Sequence, residues 1–196
     1  MYYLSELLIS LVGIAIAISV HEFGHAYSAH LLGDDTAKYN GRMTLNPAKH
    51  VDPIGLLTLL LFRIGWAKPV PVNPNNFKNY KWGNVIVSLS GALGNLLGAI
   101  VCGLIAKYSN IYAIYTIASS AMWINIGFGA FNLLPIPPLD GWGIISSLLP
   151  YKYNEFIYKY ENVGYGILLI AIFTGLYSYV VNPIRLVFYT IVSIFV

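Results

Sequence analysis

Residues 4–32 form an almost unbroken apolar run, and it carries two histidines and a glutamate where hydrocarbon tolerates charge least. The run exceeds the roughly 20 residues a helix needs to cross a bilayer, so it predicts a first membrane span whose last turn emerges. Leu7 to Ile18 hold no charge at all. An ionisable group at mid-membrane costs on the order of 2.5–3.5 kcal/mol on insertion scales, which makes such a group a functional candidate. The stretch in question is Ser19-Val20-His21-Glu22-Phe23-Gly24-His25-Ala26. It reads H-E-x-x-H, a pattern short enough to recur by chance in soluble chains. Here its setting argues for function. Four residues advance a helix by about one turn, so both imidazoles share a face roughly 6 Å apart. That spacing lets two nitrogens reach one Zn²⁺ at about 2 Å each. Glu22 lies beside them, placed to take a proton from a water activated at the metal. His30 lies nine residues past His21, on the opposite face at about 100° per residue, and reads as interfacial.

The rest of the composition agrees with a membrane setting. The chain of 196 residues is 57% hydrophobic and only 10% charged, whereas a soluble domain has about 25% charged residues. Its mean hydropathy is +0.66. The 16 tyrosines and 4 tryptophans suit anchoring at membrane interfaces. The first run is long enough to span and lacks a small-residue cleavage site, so no signal peptide is expected. Cys102 is the one cysteine, which excludes a disulfide framework or a thiolate metal cluster; it reads as a small apolar residue on a helix. A net charge of +3 without a basic, aromatic-interleaved patch speaks against a nucleic-acid partner.

Beyond the first span, residues 33–53 are polar, and Asn40-Gly41 predicts a small β-hairpin. His50, in this loop, reads as a hydrogen-bonding residue before a ligand. Ile54 to Phe62 is apolar but too short to cross, and Arg63 follows, so a re-entrant or interfacial segment is expected. Prolines extend Trp66-Ala67-Lys68-Pro69-Val70-Pro71-Val72-Asn73-Pro74. A second span covers 84–106. Its Gly91, Gly94 and Gly98 allow close helix packing within the molecule, and its Asn95 should face a partner, the active site being one candidate. A third span, 111–134, runs into Pro135-Ile136-Pro137-Pro138-Leu139-Asp140, where three prolines forbid helix. Irregular backbone at membrane depth must be buried in protein or line water, so this loop should lie inside and present Asp140. Residues 151–162 look interfacial. A fourth span, 163–181, is expected to end at Asn182-Pro183, leaving 184–196 too short to cross alone. The fold class is therefore an all-α polytopic membrane protein. It has about four full transmembrane helices, short re-entrant segments and a small hairpin after the first helix. One domain, 1–196, is expected, with a catalytic core of about 4–143 and C-terminal membrane helices over about 161–196. Nine of the eleven Lys and Arg fall in the loops 33–53, 63–82 and 135–162, against Lys107 and Arg185 opposite. The positive-inside rule then makes the nine-residue side, and the active site near it, cytoplasmic.

A catalytic zinc takes about three protein ligands and keeps a position open. The acidic candidates besides Glu22 are Glu6, Asp34, Asp35, Asp52, Asp140, Glu155 and Glu161. Only Asp140 sits in a rigid, proline-framed loop that must be buried. The competing reading is an aspartate that caps a helix start.

His21-Glu22-Phe23-Gly24-His25, followed by Asn132-Leu133-Leu134-Pro135-Ile136-Pro137-Pro138-Leu139-Asp140-Gly141, resembles the site-2 protease family of intramembrane zinc metalloproteases. The stretches 45–55, 66–73 and 91–95 resemble a compact subgroup of it. The resemblance implies His21, His25 and Asp140 as zinc ligands, Glu22 as general base, and Asn132 as a hydrogen-bond donor to the substrate carbonyl or oxyanion. It implies regulated intramembrane proteolysis: hydrolysis of a transmembrane protein or peptide within the lipid bilayer. The stretches 36–45 and 66–73 are candidates to pair with an unwound substrate as an added strand. Two departures stand out: Ala92 where relatives often have proline, and Trp142 where many have a small residue. No PDZ-like or nucleotide-sensing domain is expected within 196 residues. Two other readings use the same residues. A metal transporter would need ligands along a path, yet no histidine lies beyond residue 50. A catalytically silent scaffold would not need Glu22.

Overall fold

The computed structural model describes residues 2–62 and 65–196. Among these, the α-helices are α1 (Tyr2–Leu31), α2 (Thr36–Tyr39), α3 (Pro53–Phe62), α4 (Tyr80–Tyr108), α5 (Tyr112–Asn132), α6 (Asp140–Leu148), α7 (Asn154–Thr174) and α8 (Tyr177–Ser193). Four stretches are long and apolar enough to cross a membrane: Leu4–Leu31, Tyr80–Tyr108, Tyr112–Asn132 and Tyr151–Thr174.

Helices α1, α4 and α5 pack together as the centre of the molecule. Missing side chains bring α1 and α4 into contact. A Cβ on Gly24 would lie 2.5 Å from the Ser90 carbonyl oxygen, and one on Gly94 would lie 2.5 Å from that of Val20. The two backbones therefore touch, which is what small residues permit where no hydrophobic force drives helices together. The glycines predicted to admit a neighbour do so within the chain. Ala92 and Ala99 of α4, Ile126 of α5, and Phe188 and Val192 of α8 form the adjoining apolar seam.

Segment 52–66 leaves the loop region and comes back. Val51 and Ala67 form an antiparallel bridge, so both ends of the excursion meet. Helix α3, ten residues long, reaches about 15 Å, half the hydrocarbon thickness. A Cβ on Gly55 would lie 2.1 Å from the Trp66 carbonyl oxygen, which shows how tightly the returning chain presses on α3. Helix α3 is therefore too short to cross, and the chain on either side of the excursion, Val51 and Ala67, is paired. Arg63, expected to end the apolar stretch, lies outside the described residues.

Two expectations are corrected. No β-strand occurs among the described residues, so the hairpin at Asn40-Gly41 is absent. The cause is Asp34: its Oδ1 accepts from the Thr36 N–H (3.2 Å) and hydroxyl, which starts the helical turn α2 in place of a strand. Asp34 is fully buried and also accepts from Asn73 N–H (2.7 Å) and the Asn76 amide (2.7 Å), stapling the end of α1 to the turn at 73–76. Burial pushes its carboxyl up, but these four donors together hold it below the usual carboxylate range. The second correction concerns the C-terminus. The helical break falls at Gly175, in the left-handed region at φ 74°, and α8 runs straight through Pro183. Glycine adopts that conformation without steric cost. The hydrogen bond Pro183 removes is offset by packing: Val181 lies against Ala130 and Leu134 of the α5 end. Helix α8 begins there, and Val196, just past its end, lies beside Gly103 and Met122, so α8 runs antiparallel to α5.

Candidate metal centre

His21 and His25 come from one face of α1, and Asp140 is the first residue of α6. The proline loop ends the preceding helix. Gly141 then lets α6 start hard against α5, since a Cβ there would lie 2.2 Å from the Leu133 carbonyl oxygen. The outcome is a triangle of ligand atoms. The two histidine Nε2 atoms are 3.0 Å apart, and Asp140 Oδ2 lies 3.1 Å from His21 Nε2 and 3.3 Å from His25 Nε2. Ligands on a tetrahedral zinc with bonds of about 2.0–2.1 Å are separated by about 3.3 Å, so this triangle fits one face of such a site.

Hydrogen bonding behind the rings sharpens the fit. His25 Nδ1 faces the Val87 carbonyl at 2.7 Å, which can only accept, so Nδ1 carries the proton. His21 Nδ1 donates to Asn95 Oδ1 at 2.8 Å. The orientation of that amide is set in turn, because Asn95 Nδ2 donates to the Ala17 carbonyl (2.8 Å) and to Asn125 Oδ1 (3.0 Å). Asn125 Nδ2 donates to the Ala121 carbonyl (2.8 Å). In the neutral rings both Nε2 atoms are consequently bare lone pairs, and they converge with a carboxylate oxygen that has no hydrogen-bond donor. Three buried acceptors facing one another call for a cation, and imidazole with carboxylate is a donor set that suits zinc.

The second layer is close-packed. A Cβ on Gly91 would sit 2.5 Å from His25 Nε2, so only glycine fits behind the pair. The Phe128 ring meets His21 edge-on at 5.1 Å. Glu22 is buried, and its Oε2 accepts from the Val70 N–H at 2.7 Å. Asn132 ends α5, with its amide donating to the Phe128 carbonyl one turn back (3.0 Å); it is not joined to the triangle. His30 pairs with Asp35, away from the site. His50 is buried and bonds the Thr44 carbonyl through Nε2 (2.8 Å), also away from it. Sequence reasoning singled out Asn95 but passed over Asn125. The same signal was available there, an amide within Trp123-Ile124-Asn125-Ile126.

Two histidines on a helix of membrane length, a carboxylate at the start of a short helix beside it and a glutamate next in sequence make the acceptor set that a metal-dependent hydrolase of the membrane would need. Comparison with known proteins agrees. Residues 105–174 match Peptidase family M50. "Putative zinc metalloprotease YwhC" of Bacillus subtilis (strain 168) is 37% identical over 192 residues, covering 93% of this chain and 88% of that protein. Rip2 of Mycolicibacterium smegmatis, which carries the same designation, is 29% identical over 186 residues, covering 88% and 69%. "Zinc metalloprotease MJ0392" of Methanocaldococcus jannaschii is 26% identical over 166 residues, covering 83% of this chain and 41% of that one. No solved structure matches the chain. The chain belongs to Peptidase family M50, the site-2 proteases. It is a multi-pass membrane zinc metalloprotease.

Proposed function

We propose that His21, His25 and Asp140 hold the zinc, that Glu22 is the general base, and that the substrate is a membrane-embedded protein segment. The observation that carries this reading is the meeting of three buried acceptor atoms at 3.0–3.3 Å beside a buried glutamate. Zinc bound there supplies Lewis-acid polarisation of the scissile carbonyl and a water made nucleophilic near neutral pH. Glu22 accepts the proton of that water and delivers it to the leaving amine, as a positioned carboxylate can. The Val70 N–H holds one of its oxygens meanwhile. Asn132, on turning away from the Phe128 carbonyl, supplies an amide N–H to the developing oxyanion; such a donor is worth about 10²–10³ in rate.

An apolar cavity of about 410 Å³ supports the substrate reading. Leu11, Ile14, Ile18, Phe128 and Phe131 line it, and the extended chain at Trp66–Ala67 forms its rim. A substrate helix must unwind before it is cut, since its carbonyls are otherwise engaged. The stretch 66–73 is the candidate edge for it; residues 36–39 are helical and withdraw from that role. We place the catalytic end on the cytoplasmic side. Arg185 lies on α8 near Val181 and Ile184, which pack at the Leu134 end of α5, so it joins the basic side and leaves Lys107 opposite. The core 4–143 with α7 and α8 forms one domain in this reading, because α8 packs on both α4 and α5.

Glu22→Gln protein tests the chemistry. Cleavage should vanish while one zinc per chain remains. Undiminished cleavage by that variant removes Glu22 from the mechanism. Zinc-replete protein after loss of His21, His25 or Asp140 removes the ligand assignment.

A further inference from the structure

We infer that Arg42 is a positioning residue for the reaction, acting on Glu22 through the backbone of Lys68 to Val70. This rests on the reading of Glu22 as the base. Arg42 is distant from the metal triangle in sequence and makes no contact with it, yet it is 8% exposed and its charge is spent on two main-chain oxygens. One guanidinium nitrogen, Nη2, donates to the carbonyls of Lys68 (2.7 Å) and Pro69 (3.2 Å). The next residue along, Val70, donates its N–H to Glu22 Oε2 at 2.7 Å.

The segment is built around that one donor. Pro69 and Pro71 have no N–H, so Val70 carries the only one in the run 69–71. Its side chain is buried against Ala26, one turn after Glu22 on the same face of α1, and against Ala37 of α2. The segment is also gripped from the opposite side. Lys68 N–H donates to the His50 carbonyl (2.8 Å), and Ala67 bridges Val51. Arg42 itself is set by α2, its own N–H donating to the Ala37 carbonyl (2.8 Å). Arginine suits the task because its guanidinium is planar, stays charged and holds the two N–H donors of Nη2 in a fixed plane toward neighbouring oxygens. Without it, two carbonyls lose their donor, and the N–H that aims the base is free to drift. A misplacement of about 1 Å at a reacting group costs on the order of 10² in rate.

The test uses full-length, zinc-loaded protein in liposomes. The probe is a dye- and quencher-labelled peptide with one apolar segment of about 20 residues. Arg42→Gln should lower kcat by on the order of 10–100-fold, with KM within about twofold and zinc at one per chain. Arg42→Lys should fall between that variant and the parent, because an ammonium keeps the charge and the donors but lacks the planar, rigid geometry that aims Nη2 at the two oxygens. Val70→Pro deletes the N–H itself and should lower kcat comparably. Combining it with Arg42→Gln should give no further loss. Hydrogen exchange at the Val70 amide should quicken in Arg42→Gln. A parental kcat in Arg42→Gln, a loss that adds to that of Val70→Pro, or a defect confined to KM or zinc content overturns the inference. If Arg42→Gln does not yield folded protein, Arg42→Lys and Val70→Pro decide by the same criteria. Glu22→Gln keeps the two claims apart. Cleavage surviving in Glu22→Gln sinks the base assignment, whereas a dead Glu22→Gln beside a fully active Arg42→Gln sinks the role of Arg42 alone.

Discussion

Replacing Gly91 by alanine adds a single methyl group to α4, at a point where α4 faces both imidazoles. The new Cβ would lie 2.5 Å from His25 Nε2 and 2.6 Å from Cε1 of each ring. Ordinary contact begins at 3.4 Å, so the rings must retreat by about 0.9 Å, the difference between those two distances. A zinc site tolerates about 0.2 Å in its ligand distances. Neither ring can retreat freely: His25 is tied to Val87 at 2.7 Å and His21 to Asn95 at 2.8 Å. Losing one such outer bond typically costs 10–100-fold in metal affinity, and here a ligand is pushed as well. We therefore expect Gly91→Ala to weaken zinc binding by at least about 10–100-fold, or about 1.4–2.8 kcal/mol at 1.4 kcal/mol per tenfold. The assay is metal content of purified protein during titration with a chelator of known zinc affinity. Gly127→Ala is the control, since a Cβ there meets nothing within 4 Å, and its zinc binding should match the parent. Parental affinity in Gly91→Ala would refute the claim that the rings are packed against α4 in their metal-binding positions.

Further outcomes follow from other contacts. Asn125→Leu removes the acceptor that orients Asn95, so zinc affinity should drop by about 10-fold or more while helix content by circular dichroism stays unchanged. Asp34→Asn should destabilise the protein by about 1–3 kcal/mol at neutral pH, because a charged acceptor of four hydrogen bonds is lost. The folded carboxyl sits below its unfolded value, so its stabilisation is present above about pH 4 and fades as pH falls through the folded value. Melting temperatures of parent and Asp34→Asn should therefore converge on acidification; a constant gap would contradict the assignment. Trp142→Phe keeps a ring but removes the N–H that Glu161 accepts at 3.1 Å, so it should loosen α7 against the cavity of about 390 Å³ beside Asp140. Faster labelling of an added thiol at Ser146, with Cys102 replaced, would report it.

What the sequence made legible follows from how strongly each residue type is constrained in lipid. Two histidines at helical spacing and an aspartate behind three prolines have few places to go, and the structure brings His21, His25 and Asp140 together. Asn95 was legible for the same reason, an amide that hydrocarbon cannot satisfy. The partner of Glu22 was not, since a backbone N–H at Val70 has no side-chain signature. The helical turn α2 was mistaken for half of a hairpin because Asn40-Gly41 signals a turn without saying what enters it. The decisive group, Asp34, acts through a local side-chain bond. The end of α7 was misplaced because Pro183 is a louder punctuation mark than Gly175. Packing of α8 on α5 overrides the first, while a left-handed backbone makes the second the true stop.

The prolines on either side of Val70 also bear on how molecules meet one another. An extended run along a membrane protein's cleft is a ready template for a neighbouring copy, because unsatisfied main-chain groups recruit more of their own kind. Between residues 69 and 71 this run offers a neighbour no donor at all, since two positions lack an N–H and the third is already committed to Glu22. Crowded copies in a bilayer are thus denied one route to stacking edge upon edge.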